Sequence, residues 1–152
     1  MASGVFDNAM IALGTATVDW TAGQTDIWCA LGKSDFGANV SKTAWDTYSD
    51  TTAYGVSDQS PNIGYTLGGE YLTLITVALN GSVAQFDASD RAWTAATFSA
   101  YYAYNSHGTQ AGAANPLLSY HDLGGEQAVA AGTLTLQWAG VGVFSITISD
   151  AA

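Results

Sequence analysis

Two histidines, a single cysteine and thirteen carboxylates make up most of what this chain could use for chemistry. His121 is followed directly by Asp122, so a Ser-His-Asp relay can be drawn using any of many serines. Geometry rather than residue type defines such a relay. The Gly-x-Ser-x-Gly elbow that would present the nucleophile is missing. His107 lies in Asn-Ser-His-Gly-Thr, a loop sequence, and the His107–His121 separation has no metal-ligand spacing. Asp87 and Asp90 share the turn Asp87-Ala88-Ser89-Asp90. Calcium takes several oxygen ligands and could use such a turn. The full Asp-x-Asn-x-Asp-Gly pattern is absent, and the simpler use is an Asx turn. Glu70 and Glu126 each follow Gly-Gly, and a glycosidase would need such a pair facing across a cleft. Arg91, between Asp90 and Trp93, reads as a structural ion pair with aromatic packing. Cys29 sits inside Ile27-Trp28-Cys29-Ala30-Leu31 and reads as a small buried hydrophobe. No stretch matches a phosphate loop. The residues therefore predict no catalytic residue, no metal site and no cofactor, and the expectation is a protein that is not an enzyme.

Composition narrows the partners. Lys33, Lys42 and Arg91 stand against 13 acidic residues, a net charge of −10 over 152 residues. A phosphate backbone needs clustered positive charge, so no direct nucleic-acid contact is expected, and none with an anionic membrane. Only 11% of residues are charged, where an average domain has roughly 25%. The remainder is rich in Thr, aromatics and Gly, which suits strands and turns. The N-terminal MASGVFDNAM has neither a basic region nor a long apolar run, so no signal peptide is expected, and synthesis in a cytoplasm follows.

The elements that would position these residues are mostly short strands. Val5, Phe6, Ala9, Met10 and Leu13 fall on one helical face, with Ser3 placed to cap and Gly14 to terminate. Thr15 to Trp20 and Asp26 to Leu31 suggest a hairpin across a Gly-containing link. Ser34 to Tyr65 has no sustained period, yet it holds Phe36, Trp45, Tyr48 and Tyr54; a short helical turn around Thr43 to Asp50 is expected within it. Long irregular segments usually carry a function, so this one is expected to dock on something. Tyr71 to Leu79 is apolar on both faces and is expected to be a central strand. Asn80-Gly81 predicts a hairpin to Ser82–Asp87. Thr97 to Asn105 places Phe98, Ala100, Tyr102 and Tyr104 on one face. After a short strand over Pro116 to Asp122, Gly124-Gly125 is expected to turn the chain. Two alternating strands, Thr133–Trp138 and Phe144–Ser149, close the sequence around Gly140. The whole reads as one domain, residues 1–152, with an irregular excursion at about 34–65. The fold class is mainly β: an antiparallel β-sandwich or jelly-roll-like barrel with a short N-terminal helix.

Three blocks carry a family resemblance. The first is VFDNAMIALGTATVDWTAGQTDIWCALGKS. The second, GYTLGGEYLTLITVALNGSVAQFDASDRAWTAATFSAYYAYN, holds Gly-Tyr-Thr-x-Gly-Gly, Phe-Asp-Ala-x-Asp and Trp-x-x-Ala-Thr-Phe. The third, NPLLSYHDLGGEQAVAAGTLTLQWAGVGVFSITI, holds Pro-Leu-Leu-x-Tyr-x-Asp-x-Gly-Gly and a paired-strand ending. In this order they resemble a family of small virion structural proteins of tailed bacteriophages, of the capsid decoration or cement type. The chain departs from that pattern at Ser99-Ala100-Tyr101-Tyr102, where relatives often carry an Arg, and in its aromatic-bearing excursion.

The resemblance implies a non-enzymatic protein that binds and stabilises the assembled head. Its partners would be the major capsid protein and copies of itself as a trimer or dimer. Its place would be the capsid surface of the virion, after synthesis in a host bacterial cytoplasm. The expected partner-interface residues are Val5, Phe6 and Met10 on the helix and Trp45, Tyr48 and Tyr54 in the excursion. The alternative reading is a tail-associated or host-surface carbohydrate-binding module, with exposed Trp and Tyr stacking on sugars.

Overall fold

The structure is a computed structural model that describes residues 3–15, 26–56, 62–140 and 142–147. In chain order come β1 (Gly4–Val5), α1 (Asp7–Gly14), β2 (Ile27–Gly32) and α2 (Phe36–Asn39). A 3₁₀ helix (Tyr48–Tyr54) and β3 (Glu70–Tyr71) follow, then β4 (Thr76–Asn80) and β5 (Val83–Asp87). The long strands β6 (Arg91–His107) and β7 (Leu117–Leu136) precede β8 (Phe144–Thr147). Among the described residues the strands form two antiparallel sheets, in the order β1-β7-β6-β2-β3 and β4-β5-β8. The fold is mainly β, with a short N-terminal helix, and has the arrangement of a β-sandwich.

Residues directly opposite each other in an antiparallel pair share a face, so the registers sort the side chains of the larger sheet. Gly4, Ala30, Tyr102, Tyr104 and Tyr120 lie on one face. Val5, Cys29, Leu31, Ala103, Asn105, Ser119 and His121 lie on the other. Both faces are covered, which is why Leu117, Leu118, Ser119 and Tyr120 are all buried in succession.

The excursion covers the tyrosine face. Phe36 stacks on Tyr104 and Tyr102 at 5.0 and 5.4 Å, and Trp45 meets the Phe36 ring edge-on at 5.4 Å. Backbone bonds stitch this layer to the loop that follows β6: Tyr48 N–H donates to Asn115 O at 2.8 Å, and Leu117 N–H donates to Asp46 O at 2.9 Å. The helical turn lies further along than Thr43–Asp50. Asp50 accepts the Thr47 N–H at 3.0 Å in a capping box, which fixes Thr47 as the N-cap and starts the 3₁₀ helix at Tyr48.

Several expectations are corrected. The strand expected over Tyr71–Leu79 is broken, because Leu74 takes a φ of +51° between β3 and β4. β4 is an edge strand, not a central one. The hairpin at Asn80-Gly81 is present, with Asn80 opposite Val83. Gly81, at φ +62°, takes the first of its two loop positions. Gly124-Gly125 does not end a strand. Ala100 faces Gln127 and Tyr102 faces Asp122, so Leu123–Glu126 bulge out and β7 runs on. The last two strands do not pair with each other: β7 stays on β6, and β8 crosses to β5. There Phe86 and Phe144 stack at 4.4 Å. Ser3 does not cap α1, whose N-cap is Phe6; the Ser3 hydroxyl instead accepts the Asp122 N–H at 3.0 Å. Most of the first strand of the Thr15–Trp20 hairpin lies outside the described residues; its second strand is β2.

Candidate functional site

β7 and β6 bring together a buried polar cluster. Ser119 and His121 are two residues apart and so share a face, and Asn105 stands opposite Ser119. Asn105 Nδ2 donates to Ser119 Oγ at 2.9 Å and lies 3.2 Å from His121 Nε2. Ser119 Oγ also lies 3.2 Å from that nitrogen. An amide nitrogen can only donate, and the Ser119 oxygen already accepts from it. The Asn105 amide contact therefore makes Nε2 an acceptor, with the imidazole proton on Nδ1. Burial pushes the His121 pKa down to about 4. The Trp138 ring meets the imidazole edge-on at 5.3 Å.

A cleft of about 580 Å³ opens beside the cluster, lined by His121, Leu123, Leu136, Trp138, Val143 and Phe144 among others. The imagined Ser-His-Asp relay does not assemble here. Strand alternation sends the Asp122 side chain to the opposite face from His121. Its carboxylate accepts the Gly124 N–H at 2.9 Å and shapes the bulge. Ser119 is fully buried, so its hydroxyl has no approach for a substrate.

The remaining candidates for chemistry are used structurally. Asp87 accepts the N–H of Ala88, and Asp90 accepts that of Trp138 at 3.0 Å. Trp138 Nε1 donates to Ser89 O at 3.1 Å, so this turn anchors the segment that leaves β7. Arg91 pairs with Glu70 at 3.2 Å and sits over the Tyr71 ring, so its ion pair and its aromatic contact lie on β3 rather than beside it in sequence. Glu126 accepts the Ser99 hydroxyl at 2.7 Å. His107 Nε2 lies 3.0 Å from Asp26 Oδ2. Cys29 is fully buried, and burial pushes its thiol up to about 12.

The six residues expected at a partner interface divide sharply. Phe6 is fully buried against Tyr120, and Tyr48 is buried beside Tyr104. Both belong to the chain's own core, so their candidacy as contacts is corrected. Val5 is half-buried in β1, opposite Ser119. Trp45 and Tyr54 stack on each other at 5.2 Å and pack on the core from outside. Met10 is 46% exposed, and its neighbour Ile11, which the helical pattern did not single out, is 63% exposed.

Among the described residues, the two most exposed large apolar side chains lie where the sequence suggested a strand interior. Leu74 and Leu79 are 77% and 71% exposed, and every residue of β4 is exposed. The overlooked signal is the Asn80-Gly81 hairpin itself. It ties this strand to one neighbour within a few residues and leaves the other edge dependent on the rest of the fold.

Among the described residues, no helix is long and apolar enough to cross a membrane. No family model, no curated protein and no solved structure matches the chain.

Proposed function

We propose that this chain is a bacteriophage virion structural protein of the capsid decoration type, binding the assembled head through protein–protein contacts. The observation that carries the reading is where its uncovered apolar side chains gather. Met10 and Ile11 stand out on α1, Leu74 just ahead of β4, and Val77 and Leu79 on β4, in a chain of net charge −10. Concentrated apolar exposure of this kind marks interaction surfaces. The α1 face is the contact offered to the major capsid protein. Such a contact stabilises the assembled shell by binding it in preference to free subunits. The virion assignment itself draws on the three sequence blocks described above. In the carbohydrate-binding alternative, Trp45 and Tyr54 would offer only their outer ring faces, since each gives the other face to its neighbour.

The test is mass spectrometry of purified particles, with copy number taken relative to the major shell protein. The expected result is a stoichiometric component whose occupancy falls at least about tenfold in a Met10→Asp, Ile11→Asp variant. That variant should keep its wild-type melting temperature. Absence of the protein from particles overturns the assignment.

A further inference from the structure

The described edges of the two sheets are not alike. β1 and β3, which flank the larger sheet, are each only two residues long. β8, one edge of the smaller sheet, has Phe144 buried, Ser145 and Ile146 half-buried and Thr147 exposed. β4, the opposite edge, pairs with β5 over five consecutive residues without a bulge and is exposed throughout. Among the described residues it has none of the usual protections of an edge: no charge, no proline, no irregularity, no covering element.

The hairpin register specifies what β4 offers. Its two-residue loop makes Asn80 and Val83 the hydrogen-bonded closing pair. Bonding alternates along an antiparallel pair, so Thr76 and Ala78 also turn their backbone groups toward β5. The N–H and C=O groups of Val77 and Leu79 point outward. Val77 and Leu79 also lie opposite Phe86 and Ala84, on the same face as Phe144 and Ile146 of β8. The apolar inner face of the small sheet therefore extends beyond the body of the protein. It runs from buried Phe144 and Phe86 out to Val77 at 50% and Leu79 at 71% exposure.

We propose that β4 pairs antiparallel with β4 of a second copy, about a two-fold axis through Ala78. In that register Val77 faces the second copy's Leu79 and the reverse, and both outward groups of each residue find partners. Four backbone hydrogen bonds form, and the small sheets join into one of six strands. The axis stands perpendicular to the sheet, so Val77 and Leu79 of both copies gather on one face, between the two bodies.

Charge selects this occupant. Residues 71–86 contain no ionisable acid or base except the phenol of Tyr71, in a chain of net charge −10. Two such chains repel wherever their carboxylates meet, so they approach most easily along a neutral strand. A basic partner would gain nothing from that neutrality. The contact is also self-complementary, and a two-fold pairing of one edge with itself closes on itself. This pairing does not depend on the virion assignment.

The test is sedimentation equilibrium of the full chain, combined with two variants. Wild type should sediment as a dimer. Val77→Pro removes an outward N–H while leaving the β5 ladder intact. It should raise the dimer dissociation constant at least about tenfold, having lost two of the four bonds. Ala78→Cys should form an intermolecular disulfide under mild oxidation, and Asn80→Cys far less; Cys29 is buried and does not compete. A monomer at millimolar concentration with no Ala78→Cys cross-link overturns the proposal. So does a dimer unaffected by Val77→Pro, which would lie elsewhere, or an open-ended polymer. If Val77→Pro instead abolishes shell binding by a wild-type monomer, β4 serves the shell and the self-pairing is wrong. Met10→Asp should leave the dimer unchanged, so this result and the shell-binding result can fail separately.

Discussion

Residues 34–56 and residues 71–87 exchange the roles that their compositions suggest. The first segment is mostly Ser, Thr, Asp, Asn and Gly, and it holds some of the most buried rings in the protein. The second opens on the mostly apolar run Tyr71–Leu79, and it supplies the most exposed leucines among the described residues. The difference comes from what each can reach. The first lies along the tyrosine face of the larger sheet, where a few rings contact Tyr102, Tyr104 and Tyr120. Its polar residues serve the backbone, as Thr47 and Asp50 do. The second is bound into a local hairpin whose outer strand extends past the core. Burial here follows the position of a segment in the sheets more closely than its mean hydropathy.

The sharpest way to break this contrast is to truncate a buried ring in the polar segment. Phe36→Ala should cost about 3–5 kcal/mol, because it leaves a cavity against three tyrosines and Trp45. Chemical denaturation measures it, and a loss below about 1 kcal/mol would mean that the segment is only loosely attached.

Acid comes next. Folded His121 resists protonation down to a pKa of about 4, whereas the unfolded residue takes up its proton near 6.5. The unfolded chain therefore binds more protons between these values, and stability falls as pH drops through the window. The full loss is about 3 kcal/mol. Denaturation curves from pH 7 to 4.5 should show it, and His121→Gln should flatten the slope across that range.

Smaller effects sharpen the picture. Trp45→Ala and Tyr54→Ala should couple by about 0.5–1.5 kcal/mol in a double-mutant cycle, as stacked rings do. Trp45→Ala thus reports on folding as well as on any surface. Thr47→Ala should cost about 1 kcal/mol through loss of the capping box. Smallest of all, Leu79→Ser should change monomer stability by less than about 0.5 kcal/mol, measured at concentrations too low for self-association. A large loss there would show that β4 is buried by something within the chain.

How much of this was legible beforehand depended on the range of the interaction. Local signals read well. The helix ending at Gly14, the hairpin near Asn80-Gly81, the burial of Cys29 and the mainly antiparallel sheet content follow from periodicity and turn chemistry. Partners distant in sequence did not. Nothing near Arg91 names Glu70, and nothing in Thr133–Ser149 says that its two strands belong to different sheets. The two glycines of Gly68-Gly69 could not be explained from sequence. Gly69, at φ +75°, passes so close to the carbonyl of Cys29 that a Cβ would collide with it. The exposure of Met10 was not legible, since the helical pattern put it on one stripe with Phe6 and Ala9, which are buried. Nor was the burial of Phe6 and Tyr48, which depends on sheet residues more than fifty positions away, Tyr120 and Tyr104.

The crossing of β8 to β5 has a consequence for biosynthesis. The β4–β5 hairpin can close as soon as it leaves the ribosome, but the strand that covers its other side is made more than fifty residues later. During that interval Phe86 has no Phe144 to stack on, and the ribbon is sticky along both margins. Translation of β6 and β7 therefore sets a delay in which a nascent chain is open to capture by a chaperone or by a neighbour on the same polysome.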